Sequence, residues 1–356
     1  MDSTPTYAVI LAGGFGTRFW PASRRKLPKQ FLRIGGRKTM IAATAERVRG
    51  LVDPERVLVV TAAEHADLVA KNLPKLPREN VLAEPVGRNT AACVAWAALE
   101  IERREPRSVQ VVLPSDHVIR PVGDFRRLLA AACAEAAESA ALLTLGIRPT
   151  SPATGYGYIE TGARLNERGG FPVDAVARFV EKPDRARAEQ FLRSGRFLWN
   201  AGIFVWSTAA ILAALREHQP ELLERVAAIG DDAERAREYP RLPALPVDVA
   251  ILEKADNVRV MPVAFTWSDV GSWTALPEVL PGDGEANVVA GDVQLLAEGA
   301  RRCVVYGARG DLVALIGVED LIVVRAGKAT LVCPRDRAQD VKLIVERLER
   351  EGRAFL

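Results

Sequence analysis

The sequence predicts an α/β protein, a doubly wound layered sheet followed by a small β-rich domain. Three observations predict it. Short apolar runs at 7–12, 56–61, 81–84, 109–113 and 141–147 alternate with helix-period stretches at 39–50, 64–72, 91–104 and 125–140. The first run stops at Gly13-Gly14-Phe15-Gly16, and five cations follow within a dozen residues: Arg18, Arg24, Arg25, Lys26 and Lys29. From about Pro281 the texture changes to short β-rich segments separated by glycines.

The opening run, 7–12, reads as a strand buried on both faces. Its glycines let backbone N–H groups approach an anion without a Cβ in the way. Strand, glycine turn and cationic loop together describe a polyphosphate cradle, although the same residues also fit a plain turn with solvated arginines. The spacing is not the Gly-x-Gly-x-x-Gly of a dinucleotide fold, and no Gly-Lys-Ser/Thr of a Walker loop follows.

A chain of 356 residues, 49% apolar and 26% charged, fits a soluble globular protein with one large core, or one large and one small. A net charge of +3 gives no argument for nucleic-acid or membrane binding. The first apolar run is too short for a signal peptide or a membrane span. Cys93, Cys133, Cys303 and Cys333 are scattered without a Cys-x-x-Cys pair, which suits reduced thiols and a cytoplasmic location. Only nine of the 48 basic residues are lysines, and Lys26, Lys29 and Lys182 are among them, a weak hint that a compact ammonium is wanted there.

In chain order, Glu84-Pro85-Val86-Gly87-Arg88-Asn89-Thr90 leads the strand at 81–84 into an alanine-rich helix. A helix start of this kind presents unpaired N–H groups, or is capped by Asn89 or Thr90. The strand at 109–113 ends in Pro114-Ser115-Asp116-His117. A carboxylate just past such a strand end stands where open α/β sheets bind ligands, so Asp116 is a candidate metal ligand, or a cap for the next turn. His117 is read as structural rather than as a base.

After the strand at 141–147 come Gly155-Tyr156-Gly157-Tyr158, as strand or loop, and a strand at 176–183 that ends in Glu181-Lys182. A further strand at 198–206 carries Asn200 and Gly202. A carboxylate and an amide can bind adjacent hydroxyls and a lysine can hold a phosphate. A surface ion pair and a strand-end turn are the plainer readings of the same residues. Helices are expected at 208–217 and 221–238, then a strand at 258–267 ending in Ser268-Asp269. Asp269 is a second strand-end carboxylate, as a magnesium ion bridging phosphates requires. A linker at 281–284 precedes β segments at 287–295, 303–306, 312–316, 321–324 and 330–333 and a charged helix at 336–351.

With these stretches in family order, the chain resembles the bacterial mannose-1-phosphate guanylyltransferases (GDP-mannose pyrophosphorylases), among the sugar nucleotidyltransferases. The matching motifs run from Gly13 to Arg18 and on through Trp20-Pro21-Ala22-Ser23-Arg24 to Pro28-Lys29-Gln30-Phe31. They continue with Glu84 to Ala91, Pro114 to His117, Gly155 to Tyr158, Val180 to Pro183, Trp199 to Gly202 and Trp267 to Trp273.

The resemblance implies a Rossmann-like, GT-A-like mixed sheet flanked by helices over 1–281, and a small left-handed β-helix-like domain over 285–356 ending in a helix. It implies that Leu11, Ala12, Gly13, Gly14, Gly16, Thr17, Arg18, Lys29 and Ser115 line the GTP site, with Arg18 and Lys29 on the phosphates. The segment with Glu84, Pro85, Gly87, Asn89 and Thr90 would read guanine and ribose. Asp116 and Asp269 would bind Mg²⁺, and Arg18, Lys29, Asp116 and Asp269 would be catalytic. Tyr156, Gly157, Glu181, Lys182, Asn200, Gly202 and Asp269 would hold mannose 1-phosphate, with Lys182 on its phosphate. A cytoplasmic homodimer is implied, without nucleic-acid or membrane partners and without the cupin domain of longer relatives. The competing readings are the same chemistry on another sugar 1-phosphate or nucleotide, and a silent regulatory subunit that binds GDP-mannose.

Overall fold

A computed structural model describes residues 4–356. Over the described residues the chain divides into two compact units, one of residues 4–13, 47–114 and 120–267, the other of 14–46, 115–119 and 268–356.

The first unit is built on a nine-stranded sheet. Strands β1 (Thr6–Ala12), β2 (Val57–Ala62), β3 (Val81–Glu84) and β4 (Val109–Pro114) are parallel. Two three-residue strands, β5 (Val118–Arg120) and β11 (Thr266–Ser268), pair with each other. Between these lie β6 (Leu142–Ile147), β7 (Tyr158–Arg168), β8 (Phe171–Val180), β9 (Phe197–Ser207) and β10 (Val258–Val263). The order is β3-β2-β1-β4-β9-β6-β10-β8-β7.

β9 lies antiparallel to both β4 and β6, so the sheet is mixed. It places Val205 opposite Val111 on one side and opposite Leu143 on the other. Every residue of β6 is buried, and β1 and β4 are buried along most of their length, as continuous apolar runs require. Helix Asn89–Arg104 buries its small face (Ala91, Ala95, Ala98) with Ile211 and Leu215 of helix Thr208–His218 in one core.

Three elements of this unit differ from the sequence reading. β7 and β8 form a long hairpin through Gly169 and Gly170, both at positive φ (60° and 82°), as a two-residue turn demands. Much of its outer length is exposed, so no apolar alternation marked it. The expected helix at 221–238 breaks into Pro220–Ala227 and Asp232–Glu238, where Asp231 caps the second piece by accepting from Glu234 N–H. The expected strand at 258–267 stops at Val263 and resumes as β11.

The second unit contains β12 (Val288–Gly291), β13 (Gln294–Glu298), β14 (Val304–Gly307), β15 (Leu312–Ile316), β16 (Leu321–Ala326) and β17 (Ala329–Pro334). β12, β14 and β16 stack in parallel, β13 and β15 form a second parallel ladder, and β17 closes antiparallel on β16. Each circuit of chain thus lays a strand beside the one a turn earlier, with Val288 beside Val304 and Val304 beside Ile322. This is a small β-helix-like coil. Its core contains Val288, Val304, Ile322 and Val324 together with Phe19, Trp20, Ile34 and Trp273. Trp20 Nε1 donates to the Phe355 carbonyl at 2.9 Å, and Arg24 Nη2 to the Ala326 carbonyl at 3.0 Å, so the cationic loop is fastened to the coil.

Candidate active site

In the second unit the site grows from Gly16 and Lys29. Gly16 has φ 66°, and a Cβ there would lie 2.4 Å from Lys29 Cβ, so both backbone and packing require glycine. The turn lets Lys29 run inward, where it is 5% exposed. Its ammonium donates to Asp116 Oδ2 at 2.8 Å and to the Asp269 carbonyl at 2.7 Å, over the Phe19 ring. Three motifs far apart in the chain therefore meet at one cation.

Burial is the largest single influence on the Asp116 carboxylate and works to raise its pKa, but the charges of Lys29 and His117, with hydrogen bonds from Lys29 and the backbone, together outweigh it and hold the pKa below the usual range. Burial first, then the charge of Asp269, pushes the Glu278 carboxyl up. The backbone at Gly271 is crowded too, since a Cβ there would come within 3.1 Å of Asp269 Oδ2. Thr17 and Arg18 are exposed, and Arg18 has no ion-pair partner among the described residues. Ser115 is buried, and its carbonyl accepts from Thr44 Oγ1 at 3.2 Å. Among the described residues no three His, Cys, Asp or Glu side chains could hold a metal ion together. At Lys29 the groups that meet are the Asp116 carboxylate and the Asp269 main-chain carbonyl, both oxygen donors of the kind a hard divalent cation takes.

In the first unit two further clusters form. At the carboxyl ends of β1 and β3, Gly13 lies near Glu84, whose Oε2 would be 3.8 Å from a Cβ on Gly13. Leu11 and Ala12 complete β1, with Ala12 buried and its carbonyl accepting from Thr61 Oγ1 at 3.0 Å. Glu84 is buried and accepts from Tyr239 Oη at 2.7 Å and from Cys93 Sγ at 3.3 Å. Burial raises its pKa against those bonds. Pro85, Gly87 and Asn89 are exposed, and Asn89 sits at φ 60° with its Oδ1 accepting from Thr90 N–H. The helix start is partly satisfied from within: Ala91 N–H donates to the Leu245 carbonyl at 3.0 Å, and Thr90 Oγ1 accepts from Val247 N–H at 2.8 Å.

The second cluster gathers Gly157, Glu181, Lys182 and Asn200. A Cβ on Gly157 would lie 2.7 Å from Glu181 Oε2 and 3.3 Å from Asn200 Cβ, so the missing side chain is what lets these groups close up. Asn200 N–H donates to the Gly157 carbonyl at 2.8 Å. Lys182, at φ 42°, pairs with Glu181 and keeps its side chain 59% exposed. Gly202 sits at φ 65°, and its N–H donates to Asn200 Oδ1. Tyr156 stands edge-on to Trp199 at 5.0 Å and to Trp267 at 5.3 Å.

Sequence reasoning did not single out Thr144, Tyr239, Asp248 or Glu278, which support these clusters. No motif or period marks them, because each acts through a contact distant in sequence.

The chain matches the family model described as nucleotidyl transferase over residues 7–285, and that of a MannoseP isomerase/GMP-like beta-helix domain over 288–348. It is 40% identical over 356 residues to the mannose-1-phosphate guanylyltransferase of Klebsiella pneumoniae, covering 97% of this chain and 74% of that protein. It is 38% identical to the alginate biosynthesis protein AlgA of Pseudomonas aeruginosa, covering 97% of this chain and 73% of that one. It superposes with a TM-score of 0.87 on a crystal structure described as mannose-1-phosphate geranyltransferase from Thermus thermophilus, at 37% identity, covering 97% and 99% of the two chains. The strand-end carboxylates, the glycine turn, the mixed sheet and these similarities agree, and the chain belongs to the mannose-1-phosphate guanylyltransferase family of nucleotidyltransferase enzymes.

Proposed function

We propose that the chain transfers GMP from GTP to α-D-mannose 1-phosphate, giving GDP-mannose and pyrophosphate. A phosphate oxygen of the sugar phosphate bonds to the α-phosphorus in line, while the bond from that phosphorus to the β-phosphate's bridging oxygen breaks. The electron pair leaves with pyrophosphate. The attacking phosphate is already ionised at neutral pH, so no general base is required, and mutual repulsion of two anions is the main obstacle.

In this reading the Gly13 to Arg18 turn, together with Leu11, Ala12 and Ser115, holds the triphosphate, and Arg18 and Lys29 offset its charge. Lys29 has spent two of its three N–H donors on Asp116 and Asp269, which leaves one for a phosphate oxygen. Pro85, Gly87 and Asn89 read the base and ribose, with Glu84 and Thr90 bracing them from within. Tyr156, Gly157, Glu181, Asn200 and Gly202 form the sugar side, and Lys182 meets the sugar phosphate. Asp116 and Asp269 would hold a Mg²⁺ ion, which when bound supplies further charge neutralisation at the phosphates.

The observation that carries the reading is the Lys29 ammonium joined to the Asp116 carboxylate and to the main-chain carbonyl of Asp269, since it brings the cation and the two aspartate-bearing strand ends together, as binding a metal-bound triphosphate requires. The test is pyrophosphate release across a panel of nucleoside triphosphates and sugar 1-phosphates. GTP with mannose 1-phosphate is expected to give the highest kcat/KM. Lys29→Ala or Asp269→Ala is expected to cut turnover by about 100-fold or more. Near-normal turnover in either variant, or preference for another pair, would refute the reading. The same reading includes a cytoplasmic homodimer. The four free cysteines fit a reducing compartment, and exposed Leu296, Leu312 and Ile316 on the paired strands β13 and β15 offer an apolar face to a second copy.

A further inference from the structure

The amide of Asn200 is held on three sides. Its Oδ1 accepts from Thr144 Oγ1 at 2.8 Å and from Gly202 N–H at 3.2 Å, the two bonds a carbonyl oxygen's lone pairs take. Its Nδ2 donates to Asp248 Oδ1 at 2.8 Å. A backbone donor on one side and a carboxylate on the other fix which end is oxygen and which is nitrogen. What remains for a ligand is one N–H, so Asn200 meets a substrate as a donor.

Asp248 opens a single π-helical turn, Asp248–Leu252, a local irregularity of the kind often found at functional sites. That turn is anchored just ahead of it, through Leu245 and Val247, to the start of helix Asn89–Arg104. Just after it, Glu253 accepts from the Glu181 N–H at 2.9 Å. One short segment therefore grips Asn200 at its first residue and Glu181 immediately past its last. A carboxylate has about four lone-pair positions, and Asn200 takes one of those on Asp248. Glu181 and Asp248 are close enough for the charge of the first to disfavour ionisation of the second. Two acceptors flanking a fixed donor make a set complementary to a sugar hydroxyl, which donates one hydrogen bond and accepts another.

We propose that Asp248 determines specificity in the sugar subsite: it accepts a hydrogen bond from one hydroxyl of the sugar 1-phosphate and fixes Asn200 as the donor beside it. The proposal rests on the reading of this cluster as the mannose 1-phosphate side of the reaction.

The experiment is a cycle between protein and substrate. Wild type, Asp248→Ala and Asp248→Asn are assayed at saturating GTP with mannose 1-phosphate and its 2-, 3-, 4- and 6-deoxy analogues. For mannose 1-phosphate, Asp248→Ala is expected to lower kcat/KM by about 30-fold or more, with KM for GTP within about twofold of wild type. For the one analogue lacking the partnered hydroxyl, the penalty is expected to shrink to about threefold or less, and to persist for the others. Asp248→Asn, which keeps the shape and an acceptor oxygen for Asn200, is expected to recover part of the loss. It carries the same cycle should the alanine variant not fold. An equal penalty for every analogue, or an equal rise in KM for GTP, would mean that Asp248 only supports the fold, and would overturn the proposal. A wild type that releases no pyrophosphate with mannose 1-phosphate overturns the parent reading instead. An active wild type with uniform penalties removes the role of Asp248 alone.

Discussion

Gly157 and Asp248 show how single residues set the chemistry of the sugar cluster. A Cβ at Gly157 would press on the far end of Glu181, a flexible side chain that can swing away. Gly157→Ala is therefore expected to change thermal stability by no more than about 1 kcal/mol, and to raise KM for the sugar phosphate about tenfold by displacing that carboxylate. A steady-state assay alongside a thermal melt separates the two effects, and a large loss of stability with unchanged KM would contradict the account. At Asp248, burial first and then the charge of Glu181 raise the carboxyl from 3.8 to about 7, against weaker help from Lys182 and Asn200. The folded protein thus keeps a proton that the unfolded chain releases near pH 4. The stability this contributes is full below about pH 4 and is lost as pH rises through about 7. Asp248→Asn removes that dependence, so its melting temperature relative to wild type is expected to rise between pH 5 and pH 8. A difference independent of pH would show that the group does not titrate there.

At the scale of elements, legibility followed burial. β1, β4 and β6 were plain in the sequence because strands covered on both faces must be apolar throughout. The β7–β8 hairpin was not, because its outer half carries residues such as Arg164, Leu165, Asn166 and Glu167 into solvent, and polar strands leave no period-two signal. The reversed direction of β9 was equally hidden: an apolar run such as 198–206 looks the same whichever way it enters a sheet. The π-turn at Asp248–Leu252 has no sequence signature, and its shape is held by bonds to Thr90 and Asn200, residues far away in the chain. The candidate site divides the same way. Gly16, Lys29, Asp116, Glu181 and Asn200 stood out at strand ends and turns, whereas Thr144, Tyr239 and Asp248, which hold some of them in place, did not.

For the whole molecule, the family-model boundary between residues 285 and 288 does not coincide with the spatial division. The core of the second unit draws Phe19, Trp20, Ile34, Val270 and Trp273 from before that boundary, and Val288, Val304, Ile322, Leu331 and Val345 from after it. A chain ended at residue 285 would keep the nucleotidyl transferase match, yet would leave two tryptophans and a phenylalanine of that core uncovered. Removing half of a shared core costs far more than the ~5–15 kcal/mol that holds a domain folded. Such a truncation is expected to be aggregated or to lack a cooperative melt and to have no turnover. A soluble, active product with a sharp transition would show that the coil is dispensable.

By itself, the sequence determined the alternation of strands and helices, the glycine turn with its cations, the strand-end carboxylates and the family. Each is a local pattern, written in the period of burial or in side chains a few residues apart. Tertiary structure alone decided that Lys29 binds both Asp116 and Asp269, that Asp248 holds Asn200, and that the cationic loop shares its core with the C-terminal coil. Those outcomes depend on which distant segments pack together, and a hydrogen bond or a buried contact carries no trace of its partner along the chain.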